Sequence, residues 1–258
     1  MFEPVATQSK RAVQSLLQAN LERVRARIAA AASAAGRAGD DVTLLAVTKA
    51  APASLVAELV RLGQHDLGEN RVDVLAPKAA ALGELGLSPR WHMIGHLQRN
   101  KARRAVEFAS VVHSVDTLQL IETLSRLAGE LAREVEVFLE VRAVEAGERS
   151  GFVPNEIPAA AHAVASLPHL RLRGLMAMAA PCESARAFDL DSQAPARRTF
   201  AALRGLGEAL PKALFSRGRV EYSMGMSADL EAAVAEGSTC VRVGAALFED
   251  LDLREAQR

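Results

Sequence analysis

An alternation constrains this chain more than any other feature. Short apolar runs of strand length recur eight times, separated by segments patterned as helices. The runs are VTLLAVTK (42–49), HDLGEN (65–70), WHMIGH (91–96), SVVHSVD (110–116), VEVFLEVRA (135–143), LRLRGLMAMA (170–179), RVEYSMGMS (219–227) and TCVRVGAALF (239–248). Helical patterning fills 52–63, 71–85, 98–108, 117–134, 155–166, 194–210 and 228–237. Ahead of the first run, residues 8–35 lack Gly and Pro. They place Leu16, Leu17, Leu21, Val24 and Ile28 at helical spacing, which predicts a long amphipathic helix. Strands that alternate with helices pair in parallel through crossovers. Eight such units in 258 residues predict an α/β chain folded as a single (β/α)8 TIM barrel with an extra N-terminal helix. A doubly wound open sheet uses the same alternation and is the alternative. No repeat or linker divides the chain, so residues 1–258 are expected to form one domain. The stretch at 180–195 is expected to be a mobile loop and not a boundary.

Composition removes several classes of function. Lys and Arg (31) balance Asp and Glu (31), so no bulk attraction to nucleic acid or anionic membrane is expected. No apolar stretch reaches the roughly 20 residues of a membrane span. Two cysteines, Cys182 and Cys240, are too few and too separated for a disulfide framework, which fits a reducing compartment. The opening MFEPVATQSK lacks the apolar core of a secretory leader, and a cytoplasmic protein is expected.

In a barrel of this kind ligands meet the C-terminal ends of the strands. The sequence puts Lys49 there after strand one, then Gly68, Glu69 and Asn70, then Gly95 and His96, then Asp116. Gly147, Glu148 and Gly151 follow strand five, and Met176 and Met178 lie on strand six. Ser223, Met224, Gly225, Met226 and Ser227 end strand seven, and Arg242 to Gly244 lie on strand eight. A lysine at the end of an apolar run either points into water or serves chemistry at a pocket mouth. SMGMSADLEAAV sets small and hydroxyl residues before a helix start, where backbone N–H groups make an anion site. Gly225 can equally shape a bend, and Ser227 can equally cap the helix. Arg242, inside an apolar strand, needs either a protein carboxylate or a ligand. Gly244 removes a side chain where a ligand could come close. An amine, an anion site and a buried cation around one mouth match the aldehyde, phosphate and ring nitrogen of pyridoxal phosphate.

Other residues carry blander readings. His92 and His96 are spaced i, i+4, but on a strand entering a loop they share no helical face, and no metal is expected. The basic stretch at 98–104 reads as a solvated helix face. Glu69 and Asn70 read as polar contacts at the mouth, Glu69 holding Lys49 in place. Met176 and Met178 read as core packing.

The chain resembles the pyridoxal phosphate homeostasis proteins, relatives of the barrel domain of bacterial alanine racemase. The matching stretches are LLAVTKAAP (44–52), GENRV (68–72), WHMIGHLQRNKAR (91–103), VHSVDT (112–117), RLRGLMAMA (171–179) and YSMGMSADLEAAVAEGSTCVRVGAALF (222–248). They run from the first strand to the last. The resemblance implies a barrel that holds pyridoxal 5′-phosphate as a Schiff base on Lys49. It implies phosphate binding by the loop of Ser223, Met224, Gly225 and Ser227 and by the backbone at Gly244 and Ala245. It sets Arg242 at the pyridine nitrogen, with Asn70 and Met176 near the ring. Relatives usually carry Thr after the last-strand Gly. Ala245 stands there, so a hydroxyl contact is lost while the N–H remains.

The resemblance also implies a cofactor carrier in vitamin B6 homeostasis more than a catalyst. The related racemase takes a second base, a Tyr, from a second domain of its partner subunit. Here the only tyrosine is Tyr222, within strand seven. Arg242 at the ring nitrogen would disfavour ring protonation and weaken the electron sink. The alternative is a racemase-like enzyme acting on a small amino acid. Expected partners are pyridoxal phosphate and apo-enzymes that receive it, with no nucleic acid or membrane, and a monomer is the default.

Overall fold

The computed structural model describes residues 10–142, 150–179 and 194–253. Eight strands appear where the apolar runs lie: β1 (Thr43–Val47), β2 (Asp66–Glu69), β3 (Arg90–Met93), β4 (Val111–Val115), β5 (Val135–Glu140), β6 (Leu170–Met176), β7 (Glu221–Met226) and β8 (Cys240–Val243). Every neighbouring pair is parallel, and β8 returns to β1 with Leu45 opposite Arg242. That last pairing closes a barrel and excludes the open sheet.

The helices are α1 (Lys10–Ala34), α2 (Ala53–Arg61), α3 (Val72–Glu84), α4 (Ala102–Phe108), α5 (Leu118–Glu130), α6 (Ile157–Ser166), α7 (Ala194–Glu208) and α8 (Leu230–Ala235). Seven of them follow a strand. In the described residues β8 is followed only by a 3-10 turn, Ala245–Leu247. The extra helix α1 packs against α8, that turn and α2, and so completes the outer ring. Its predicted stripe does this work: Leu17, Leu21, Val24 and Ile28 are buried, and only Leu16 is partly exposed. Asn20 Nδ2 pins α1 by donating to the carbonyls of Leu247 (3.2 Å) and Glu249 (2.9 Å).

Strand alternation divides the buried side chains into two layers. Between sheet and helices the core is apolar and mostly aliphatic, with a few aromatic side chains such as Trp91 and Phe200. Inside the barrel it is largely polar. At the N-terminal end of the strands, Arg173 Nε donates to Glu221 Oε2 (2.9 Å) and its Nη1 to Glu136 Oε2 (3.2 Å), while its guanidinium lies 5.2 Å from the Phe138 ring centre. Arg217 Nη1 adds a bond to Glu221 Oε1 (3.0 Å), and Arg90 pairs with Glu136.

Among the boundaries that differ from the sequence reading, two lie near the candidate site. The last strand stops at Val243 instead of running to 248, because Gly244 (φ −121°, ψ −74°) turns the chain into the 3-10 segment. The helix expected at 228–237 shrinks to the six residues of α8. Gly147, Glu148, Cys182 and nearly all of the 180–195 loop lie outside the described residues.

Candidate functional site

Lys49 stands two residues past β1 and is exposed. Val47 precedes it, and Thr48 between them turns outward to the helix layer, so Lys49 emerges at the C-terminal mouth of the barrel. Asn70 is likewise exposed just past β2 and lines a cleft of about 190 Å3 with His96 and Lys101. Gly95 is required beside it. A Cβ at that position would sit 2.2 Å from the Asn70 carbonyl oxygen.

Arg242 lies on β8, the strand beside β1, and is 6 % exposed. Its Nη1 donates to the Ser223 carbonyl (2.6 Å) and to Ser223 Oγ (2.8 Å), and its Nη2 to the Ala177 carbonyl (3.1 Å). Among the described residues it forms no ion pair, and its hydrogen-bond partners are neutral oxygens. Burial lowers its proton affinity, opposed by Cys240, Asp229 and Glu140, and a guanidinium still stays charged. Ser223 Oγ is itself 2.8 Å from His113 Nδ1. His113 Nε2 is 2.8 Å from His92 Nδ1, and His92 Nε2 is 3.0 Å from Asp66 Oδ1. A single file of hydrogen bonds therefore crosses the barrel interior from Arg242 to Asp66.

The residues of the SMGMS stretch separate. Ser223 is fully buried and occupied by Arg242 and His113, and Met224 faces the outer apolar layer. Neither side chain lies at the mouth. Gly225 has φ +95°, and a Cβ there would meet Ala233 Cβ at 2.5 Å, so glycine is needed for the turn. Met226 is exposed, its N–H donates to Asp229 Oδ1 (2.6 Å), and Ser227 is half-buried. With α8 only six residues long, the helix dipole adds little here, and anion binding would rest on loop N–H groups. Gly244 sits against β1: a Cβ would press on the Val47 carbonyl at 3.2 Å. Ala245, exposed, opens the 3-10 turn. Met176 packs inside the barrel with Val111, Phe138 and Met178.

Several residues with chemical capacity escaped the sequence reading. Glu140 ends β5, the strand four places from β1 in either direction around the barrel, and is 4 % exposed. Burial, then Asp116, pushes its carboxyl up to about 7, against the opposing pull of Arg242, His96 and Ser150. His96 Nδ1 contacts Asp116 Oδ2 at 3.0 Å. Beside this wall a cavity of about 480 Å3 is lined by Asp116, Thr117, Phe152 and Asn155. Inward parity on β4 and β5 was the available signal for His113 and Glu140. Glu69 is not at the mouth. It is fully buried behind the strands, with Lys78 and Thr48 as partners. Tyr222 also faces outward, its hydroxyl donating to the Arg204 carbonyl on α7 (3.1 Å), with burial pushing its phenol up to about 12. Cys240 is buried, and burial pushes its thiol up to about 11. No group of three or more His, Cys, Asp or Glu arranged for a metal ion occurs among the described residues, nor does any helix there have the length and apolarity to cross a membrane.

Comparison with known proteins places this geometry in a family. The model of the alanine racemase N-terminal domain matches residues 19–252. A pyridoxal phosphate homeostasis protein of Pseudomonas aeruginosa is 42 % identical over 234 residues, 91 % of this chain and 95 % of that protein. One from Escherichia coli is 39 % identical over 231 residues, 89 % and 94 % of the two chains. The structure of PipY from Synechococcus elongatus with pyridoxal phosphate bound superposes with a TM-score of 0.75 at 35 % identity, covering 90 % of this chain and 99 % of PipY. With matches that run from within α1 to beyond β8, the chain belongs to the alanine racemase N-terminal domain family and, within it, to the pyridoxal phosphate homeostasis proteins.

Proposed function

We propose that this protein binds pyridoxal 5′-phosphate as a Schiff base on Lys49 and serves the intracellular balance of that cofactor, handing it on to apo-enzymes. One observation carries the reading. A buried, donor-only guanidinium without a carboxylate (Arg242) lies on the strand next to an exposed lysine (Lys49) at one barrel mouth. A pyridine nitrogen is an acceptor and fits Arg242. The turns that carry the loop N–H groups depend on glycine, since a Cβ at 225 would meet Ala233 Cβ and one at 244 the Val47 carbonyl. When bound, the cofactor supplies an aldehyde for an amine and a ring that withdraws electrons. The chain's own part is to hold it. Lys49 offers the amine, loop N–H groups at 225–227 and 244–245 take the phosphate, Arg242 donates to the ring nitrogen, and Asn70 and Met176 flank the ring.

The test is borohydride reduction of protein mixed with pyridoxal phosphate, followed by peptide mass analysis, for wild type and Lys49→Ala. Label on Lys49 that disappears in the variant supports the reading. Label spread over surface lysines, unchanged in the variant, removes it.

Glu140 favours a second reading, a racemase-like enzyme acting on a small amino acid. It is a carboxyl with protons to exchange near neutrality, on the strand across the mouth from Lys49. Incubation of loaded protein with amino acids in deuterated water distinguishes the two. Exchange of the α-proton, lost in Glu140→Gln, supports the enzyme; no exchange leaves the carrier.

A further inference from the structure

The ends of β1 and β2 are tied together from behind. Lys78, on α3, is nearly buried, and its ammonium donates to the Thr48 carbonyl and to Glu69 Oε1, both at 2.7 Å. Thr48 Oγ1 donates to the same carboxylate oxygen at 2.6 Å. Thr48 immediately precedes Lys49, and Glu69 immediately precedes Asn70. Along both strands side chains alternate between the helix layer and the barrel. Thr48 and Glu69 take the outward positions, and Lys49 and Asn70 the next ones, at the mouth. A buried ion pair is a poor way to gain stability, because desolvation consumes most of the attraction. This one is also incompletely satisfied. Glu69 Oε2 is the one buried side-chain nitrogen or oxygen among the described residues without a hydrogen-bond partner. A device built for stability would not load both donors on one oxygen and strand the other. A device built to fix the Thr48 carbonyl, and through it the exit direction of Lys49, needs only the oxygen that is used.

We propose that Lys78 and Glu69 are positioning residues for Lys49: they clamp the peptide before it so that its amine meets the carbonyl carbon of the bound aldehyde. This rests on the reading that Lys49 is the attachment site. The clamp acts on geometry and touches neither the phosphate loops nor Arg242, so it should govern covalent capture and leave noncovalent binding alone.

Two probes separate those effects. Pyridoxine 5′-phosphate carries the phosphate and ring but an alcohol in place of the aldehyde, and reports noncovalent affinity by calorimetry. Pyridoxal phosphate, quenched with borohydride at set times and located by peptide mass, reports the rate of attachment to Lys49. In the double variant Lys78→Met, Glu69→Gln, which removes both charges at near-constant volume, we expect unchanged pyridoxine phosphate affinity and attachment slowed roughly 10-fold to 100-fold. Lys78→Arg, which keeps a cation facing both oxygens, should recover part of that rate. Wild-type attachment rates in the folded double variant overturn the inference, and so does an equal loss of affinity and rate. If the double variant does not fold, Thr48→Val deletes one bond of the clamp; slower attachment supports the proposal and an unchanged rate overturns it. Absence of label on Lys49 in the wild type overturns the attachment reading and this inference together, whereas equal labelling of wild type and variants overturns this inference alone.

Discussion

His92 Nδ1 and His113 Nε2 lie 2.8 Å apart in the middle of the barrel, and their neighbours leave only one order of protons between them. At one end Asp66 can only accept, so His92 Nε2 carries the proton. His92 Nδ1 is then an acceptor, and His113 Nε2 donates to it. At the other end Arg242 can only donate, so Ser223 Oγ accepts from it and passes its own hydrogen to His113 Nδ1. Both imidazoles are neutral in this order. Their proton affinities agree. Burial lowers both, His113 well below the usual range, where any charge on His92 and the charge of Arg242 add repulsion, while Asp66 pulls His92 the other way without cancelling its burial.

The first prediction concerns acid stability. An imidazole held neutral in the native state binds fewer protons than the unfolded chain below about pH 6.5. Stability is full above that value and falls as the pH drops, by up to about 1.4 kcal/mol per pH unit for each histidine. Urea unfolding at pH 7 and pH 5 measures the loss. His113→Leu should cost roughly 2–5 kcal/mol at pH 7, since it strands Ser223 and His92, and should flatten the acid slope. An acid slope identical to wild type would contradict the assignment.

Glu140 predicts a slope of opposite sign. Its carboxyl is raised from 4.5 to about 7, so the native state holds a proton that the unfolded chain has released. That stabilising difference is complete below about pH 4.5 and is lost as the pH rises through 7. Glu140→Gln keeps the shape and removes the titration. We expect the stability of the variant to exceed wild type increasingly from pH 5 to pH 8, by up to about 3 kcal/mol, read from paired denaturation curves.

Gly225→Ala tests the turn after β7. A Cβ would clash with Ala233 at 2.5 Å on a backbone at φ +95°. We expect a loss of roughly 2–4 kcal/mol from strain and overpacking. Weaker binding of pyridoxine phosphate should accompany it, because the same turn carries the loop N–H groups. Calorimetry and urea melts on one sample show both.

Arg173→Met tests the charged floor. The change leaves the buried Glu221 and the half-buried Glu136 with fewer partners and should cost about 3–5 kcal/mol. Since the floor is at the N-terminal end of the strands, ligand affinity of the folded variant should stay at the wild-type value. A large drop in affinity at unchanged stability would reverse this division of labour.

The barrel itself was legible in the chain. Eight apolar runs at strand length, with helix patterns between them, admit few topologies once crossovers are parallel and right-handed. The stripe of α1 needed nothing else, since periodicity is a local property, whereas the choice of a closed barrel over an open sheet waited for the pairing of β8 with β1. Lys49, Asn70 and Arg242 could be named as candidates because a strand end or a charge in an apolar run can be recognised from its own neighbours in sequence.

What the sequence could not supply is what each side chain meets across the barrel. The first serine of SMGMS reads as a phosphate ligand in sequence, yet β7 turns Ser223 inward to Arg242 and His113. Glu69 reads as a contact at the mouth, yet alternation turns it outward, where α3 brings Lys78 to meet it. Asp66, His92, His113 and Arg242 belong to four different strands, and only closure of the sheet puts them in one file. Glu140 becomes a proton-exchanging group only because the barrel buries it beside Asp116. Hydrophobic periodicity acts along the chain and so is written in it. Hydrogen bonds and desolvation act over a few ångströms between residues tens of positions apart, and only the closed barrel decides which of them come within that reach.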